Sequence, residues 1–159
     1  MRKTWRIKDF HPSLQNSLSE GLNISKVTAQ LLVNRGIDDI ESASEFLNSS
    51  LASCHDPFLL KDMDKAVSRI KKAILKKEKI LVYGDYDVDG MTSVTIVYSA
   101  LKNLGAIVDT YIPNRIEEGY GLNSAAIKRA QDNGISLIIT VDCGITSFKE
   151  VDHAKALDI

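Results

Sequence analysis

Cysteine is nearly missing from this chain: Cys54 and Cys143 are the only two in 159 residues. Two thiols cannot build the disulfide framework that holds small secreted domains together, so a reducing compartment fits and a cytoplasmic location is expected. Nor is there an apolar run near the ~20 residues that cross a bilayer, which argues against a membrane protein. The N-terminus, Met1-Arg2-Lys3-Thr4-Trp5-Arg6, has basic residues with no apolar stretch behind them, so it does not read as a signal peptide. Neither sign of charge prevails. Twenty Lys and Arg against 21 Asp and Glu leave a net charge of −1, so no global basicity announces nucleic acid, and only local basic patches remain open.

What is there suffices for a folded protein. At 159 residues and 44% hydrophobic content the chain can bury one α/β domain plus a smaller helical piece. Residues 1 to about 18 mix charge, Trp5, Phe10 and Pro12 without a period and read as an irregular arm. Residues 25–34 read as a helix with Ile24, Val27, Leu31 and Leu32 on one face and Gly36 as a left-handed stop. Asp38 or Asp39 can cap a second short helix to Leu47 that turns Ile40, Ala43, Phe46 and Leu47 inward. After a polar break at 49–57, these elements make residues 1–60 a helical N-terminal appendage.

A helix over 64–77 follows, with Met63, Ala66, Val67, Ile70, Ala73 and Ile74 as its apolar stripe. Lys65, Arg69, Lys71, Lys72, Lys76 and Lys77 occupy its other face, as a nucleic-acid contact or simply a solvated surface. From Ile80 onward strands and helices alternate, the signature of an open, mostly parallel sheet with helices on both faces. Strands are expected at 80–83, 106–112 and 136–141, and helices at 90–103, 123–133 and 146–157. The stretch 91–101 reads as a mostly buried helix.

The chemistry concentrates in Tyr83-Gly84-Asp85-Tyr86-Asp87-Val88-Asp89-Gly90, where the first strand hands over to its helix. If this segment is extended, alternate residues share a side and Asp85, Asp87 and Asp89 point one way. Carboxylates ~6 Å apart at an effective dielectric of ~20 repel by roughly 3 kcal/mol per pair, and a fold stable by about 5–15 kcal/mol feels that unless cations offset it. Clustered hard oxygens suit magnesium or manganese. The apolar strand 137–141 likewise runs into Asp142-Cys143-Gly144. Carboxyl ends of parallel strands share one edge, so Asp142 can approach the first acidic segment.

Other readings stand beside this one. Asp142 or Asp89 can serve only as a helix cap. An EF-hand loop opens similarly but needs glutamate at its twelfth position, which here is Ile96, and a preceding helix. A haloacid-dehalogenase-like phosphatase would use Asp87 as nucleophile and Asp89 as general acid. That pattern wants threonine or valine where Met91 stands, and its first aspartate directly after the strand. Cys143 can be a soft ligand, a nucleophile or just a small residue in a tight turn. His11, His55 and His153 are isolated in sequence. In the loop 114–122, Arg115 can clamp a phosphate and Tyr120 can stack on a base, or the loop is merely surface.

Assembled, these motifs resemble the N-terminal part of the RecJ-type single-strand-specific exonucleases of the DHH phosphoesterase superfamily. The resemblance rests on Val82 through Thr92, on Pro113-Asn114-Arg115 with Glu118-Gly119-Tyr120-Gly121-Leu122, and on Thr140-Val141-Asp142-Cys143-Gly144. It implies metal ligation by Asp87, Asp89 and Asp142 with Asp85 in support, and a pair of Mn2+ or Mg2+ ions. It also implies 5′→3′ hydrolysis of single-stranded DNA in repair or recombination, with a single-strand-binding protein as a further partner. The Asp-His-His triplet that names the superfamily belongs to the next strand, and the sequence stops at Ile159 before it. Residues 61–159 are therefore expected to be the first part of the α/β domain, with an open metal shell and little activity of their own. Alternatives are a phosphodiesterase or pyrophosphatase acting on small nucleotides, or a non-catalytic metal- or nucleotide-binding module.

Overall fold

The computed structural model describes Thr4 and residues 10–159, so Trp5 and most of the basic N-terminus lie outside the described residues. The chain divides into two compact units, Met1–Leu59 and Leu60–Ile159.

In the first unit the expected irregular arm gives way to a helix, α1 (Pro12–Leu22), with proline in its first turn. Its period is masked because Gln15 fills a buried position beside Leu18; the amide is satisfied by donating to the Lys26 carbonyl at 3.0 Å. Helix α2 (Lys26–Val33) starts on the Ser25 hydroxyl, which accepts from the Thr28 N–H, and Gly36 follows it at φ +81°. Asp39 caps α3 (Ile40–Leu47) by accepting from the Ser42 N–H at 2.8 Å. Leu18, Ala29, Leu32 and Ala43 form the core of this unit. Ile40, Phe46 and Leu47, expected inward, are exposed: three helices of eight to eleven residues bury a centre that Leu18, Ala29, Leu32 and Ala43 already fill.

The second unit opens with α4 (Met63–Leu75) and continues as β1 (Lys79–Tyr83), α5 (Val88–Asn103), β2 (Ile107–Tyr111), α6 (Ser124–Asp132), β3 (Ile135–Thr140) and α7 (Phe148–Ala156). The strands form a parallel sheet in the order β2-β1-β3. Period-two alternation splits the central strand. Ile80 and Val82 pack with Ala73, Val94 and Leu101 of α4 and α5, whereas Leu81 and Tyr83 pack with Ala126, Ile127 and Ala130 of α6. Helices thus cover both faces. The α4 surface is less free than its charges suggest, since Arg69 pairs with Glu78 at 2.7 Å and donates to the Ser136 carbonyl at 3.0 Å.

Helix α5 corrects another expectation. Only Gly90, Val94 and Leu101 are buried in it, while Met91 and Ile96 are exposed. A helix lying on one face of a narrow sheet buries a single stripe, whatever its composition. Among the described residues no helix is long and apolar enough to cross a membrane.

Candidate metal centre

The chain leaves β1 toward one face of the sheet and β3 toward the other, so the crevice between those neighbouring strands opens at their carboxyl ends. Tyr83 and Thr140 are register partners, and the Val141 N–H extends the ladder to the Tyr83 carbonyl at 2.9 Å. Asp85 and Asp142 therefore sit at equivalent positions, each two residues past a paired strand end. Asp142 adopts φ 56°, a left-handed conformation that aspartate tolerates better than most residues. Helix α7 takes Ser147 as its N-cap, so Asp142 is not a helix cap.

The segment 85–89 is not extended. Asp87 is the N-cap of α5, accepting the Gly90 N–H at 3.0 Å, and the helix has begun by Val88. Asp85 is 2% exposed and accepts the Tyr86 N–H at 2.7 Å. One carboxylate oxygen each from Asp85, Asp87 and Asp142 lies within 4.8 Å of the others. Asp89, in the first turn of α5, stays outside that trio but close enough for its charge to act on Asp142. The donor set is all hard oxygen, with no histidine or cysteine among the described residues joining it, and it suits Mg2+ or Mn2+.

Partial desolvation, then the charges of Asp87, Asp89 and Asp85, raise the Asp142 carboxyl above its ordinary pKa. An acid whose pKa is higher in the folded state binds its proton more tightly when folded. Asp142's own contribution to metal-free stability is therefore lost as pH rises through that raised pKa, opposite in sign to those of Asp39 and Glu118, whose pKa values are lowered. Metal binding, which needs the Asp142 carboxylate, gains over the same window. Thermal melts of the protein and of Asp142→Asn across pH 3–7 isolate that contribution. The parent's midpoint relative to the variant's is expected to fall with rising pH without Mn2+ and to rise with Mn2+; the same trend in both would mean the cluster holds no ion.

Around the acids stands an aromatic fringe. The Arg115 guanidinium lies 5.1 Å from the centre of the Tyr86 ring, which meets Tyr120 edge-on at 6.3 Å. The Tyr120 hydroxyl reaches the Asp142 carbonyl at 3.4 Å. The loop carrying Arg115 and Tyr120 is anchored, not loose. Glu118 accepts from Tyr111, from Arg129 and from the Asn114 N–H, the last at 2.8 Å. Tyr83, whose hydroxyl is driven well above its ordinary pKa by burial, donates to the Gly121 carbonyl at 2.8 Å. Tyr86 and Glu118 had no signal in spacing or composition: Tyr86 acts through Arg115 and Tyr120 in a later loop, and Glu118 through Asn114 and the flanking elements that carry Tyr111 and Arg129. A cleft of about 620 Å³ adjoins Asp142, lined by Tyr120, Cys143, Thr146, Ser147 and Glu150 among others. Burial raises the Cys143 thiol pKa, which disfavours the reactive thiolate. His153 is half-buried on α7 and joins no cluster.

Comparison with known proteins bears on these residues. The profile described as DHH family, N-terminal domain, matches residues 79–159, which include every acid above. The chain is 46% identical over 155 residues to the single-stranded-DNA-specific exonuclease RecJ of Bacillus subtilis (strain 168), covering 98% of this chain and 20% of that protein. A crystal structure of exonuclease RecJ bound to manganese matches 63% of this chain and 26% of its own, with a TM-score of 0.59 and 36% identity. RecJ in complex with Mn2+ from Thermus thermophilus matches 94% of this chain and 20% of its own, with a TM-score of 0.65 and 26% identity. The chain spans about a fifth of the length of the curated relatives it matches. The haloacid-dehalogenase pattern is not followed: the strand ends at Tyr83, well before Asp87.

Proposed function

Because this chain belongs to the DHH family, we propose that it supplies the carboxylate side of a metal-dependent hydrolase that cleaves single-stranded DNA from its 5′ end. The observation that carries this reading is the meeting of Asp85 and Asp87 with Asp142, from two separate strand ends, within 4.8 Å. Three carboxylates so close are mutually repulsive and call for divalent cations. Asp85, Asp87 and Asp142 would hold Mn2+ or Mg2+, with Asp89 at the rim for a second ion. Bound there, such ions lower the pKa of a water and stabilise charge on the leaving oxygen. The protein's own groups do the rest. Arg115 grips a backbone phosphate in its planar fork, Tyr120 offers a face for a base, and Tyr86 holds the Arg115 guanidinium in place. DNA repair or recombination in the cytoplasm, beside a single-strand-binding protein, is the setting this reading implies.

A second reading has one observation of its own. The 620 Å³ cleft beside Asp142 is of a size that suits a single nucleotide, so a small-nucleotide phosphodiesterase would also use it. Incubating the full reading frame with Mn2+ and a 5′-labelled single strand separates the two, since only the exonuclease releases labelled mononucleotides. Asp87→Asn keeps the helix cap and is expected to slow release by about 1000-fold, the several kcal/mol that metal-assisted charge stabilisation supplies. Unchanged release in that variant would remove the site assignment. Residues 1–159 alone are expected to bind metal weakly and turn over little; rapid strand digestion by them would show that three carboxylates suffice.

A further inference from the structure

We propose that Glu118 is a positioning residue for substrate: its carboxylate ties the loop 114–121 between β2 and α6, so that Arg115 and Tyr120 stand over the acidic pocket. This rests on the reading that those two side chains hold the strand. Glu118 touches none of the clustered acids. Instead, one of its oxygens accepts from the Tyr111 hydroxyl at the end of β2 and from the Arg129 guanidinium on α6. The other accepts the Asn114 N–H at 2.8 Å, and the Glu118 N–H returns to the Asn114 carbonyl at 2.8 Å. These bonds close the turn that carries Arg115. The side chain of Asn114 finishes it by accepting the Ile116 N–H at 2.9 Å.

A second anchor follows three residues later, where the Gly121 carbonyl takes the buried Tyr83 hydroxyl at 2.8 Å. Between the anchors lie only Gly119, at φ +78°, and Tyr120. Tyr120 therefore has little freedom to leave the Tyr86 edge or the Asp142 carbonyl. A loop held in its binding shape loses less entropy on contact with the strand, which is how preorganisation raises affinity without a contact of its own.

The test uses a fluorescein-labelled oligothymidine, its anisotropy read against the whole chain with Mn2+ present. Glu118→Ala is expected to weaken oligonucleotide binding about tenfold, leaving the Mn2+ dissociation constant, measured by titration without DNA, within about twofold. Combined with Arg115→Ala and Tyr120→Ala together, it should add almost nothing to the loss those two give, because it acts only through the contacts they make. Should Glu118→Ala fail to fold, Tyr111→Phe carries the same cycle. It deletes one of the donors, keeps the ring stacked on Tyr83, and should give about a threefold, equally non-additive loss. Unchanged oligonucleotide binding, a loss that multiplies with that of the Arg115→Ala, Tyr120→Ala double variant, or an equal fall in Mn2+ affinity would overturn the inference. If Arg115→Ala itself leaves binding intact, the loop does not hold the strand and the inference falls, while the metal-centre reading stands or falls separately with strand release by Asp87→Asn.

Discussion

Asp142→Asn is expected to weaken Mn2+ binding at least ~100-fold, beyond the 10–100-fold that partners merely supporting a metal ligand contribute, while the metal-free variant melts slightly above the parent. The two effects have opposite signs because the carboxylate has opposite consequences in the two states. Without an ion, Asp142 faces the charges of Asp87, Asp89 and Asp85, the same charges that raise its pKa. A neutral amide of the same shape relieves that repulsion. Backbone strain does not intervene, since asparagine adopts the left-handed φ of 56° at least as readily as aspartate. With an ion, the missing charge and hard oxygen leave only Asp85 and Asp87 of the three that meet within 4.8 Å. Parent and variant melted with increasing Mn2+ report both effects at once. A ligand that binds only the folded state raises the midpoint by mass action, so the parent should climb and the variant stay flat. A variant that climbs in parallel, or melts clearly below the parent without metal, would show Asp142 to be a structural residue.

Much of this site could be read from residues, and the parts that could not share one cause. Parallel strands flanked by helices announce themselves by apolar runs such as Ile80-Leu81-Val82 and Leu137-Ile138-Ile139. Their topology then forces Asp142 toward Asp85 and Asp87 without any knowledge of side-chain positions. The alternation expected for Asp85, Asp87 and Asp89 is not seen because Asp87 turns the chain into α5: Asp85 joins Asp87 and Asp142 within 4.8 Å, while Asp89, in the first helical turn, acts on Asp142 by its charge. Local signals cannot decide that choice, as both an extended run and a capped helix start with the same residues. Helix α1 was hidden for a similar reason. Gln15 is a core residue only because the Lys26 carbonyl is there to receive its amide. The roles of Tyr86 and Glu118 likewise exist only once distant elements meet. Period and spacing report what a residue does to its own element, and these residues act on others.

Gly90→Ala should be the most damaging single-methyl change in the second unit. In an exposed helix interior this substitution stabilises by up to ~1 kcal/mol, since alanine is the better helix former. At Gly90 the sign reverses. The glycine is buried in the first turn of α5, and an added Cβ would lie 2.4 Å from the Asp85 carbonyl oxygen and 2.7 Å from the Asp85 carbonyl carbon and nitrogen. Those are backbone atoms of a residue wedged at a strand end, with no rotamer to change. Overpacking of this kind costs about 1–3 kcal/mol or more, and a unit of this size loses roughly 4–8 °C per kcal/mol. A fall of about 10 °C by circular dichroism is expected, together with about tenfold weaker Mn2+ binding as Asp85 is pushed from Asp87 and Asp142. Gly21 provides the contrast. It too is helical, and its added Cβ would lie 2.5 Å from a neighbour, but that neighbour is the Cδ1 tip of Ile40, a side chain 43% exposed and free to swing aside. Gly21→Ala should therefore melt within a few degrees of the parent and bind Mn2+ unchanged. Equal tolerance at the two glycines would mean that the fit of buried Gly90 against the Asp85 backbone does not hold the acids together.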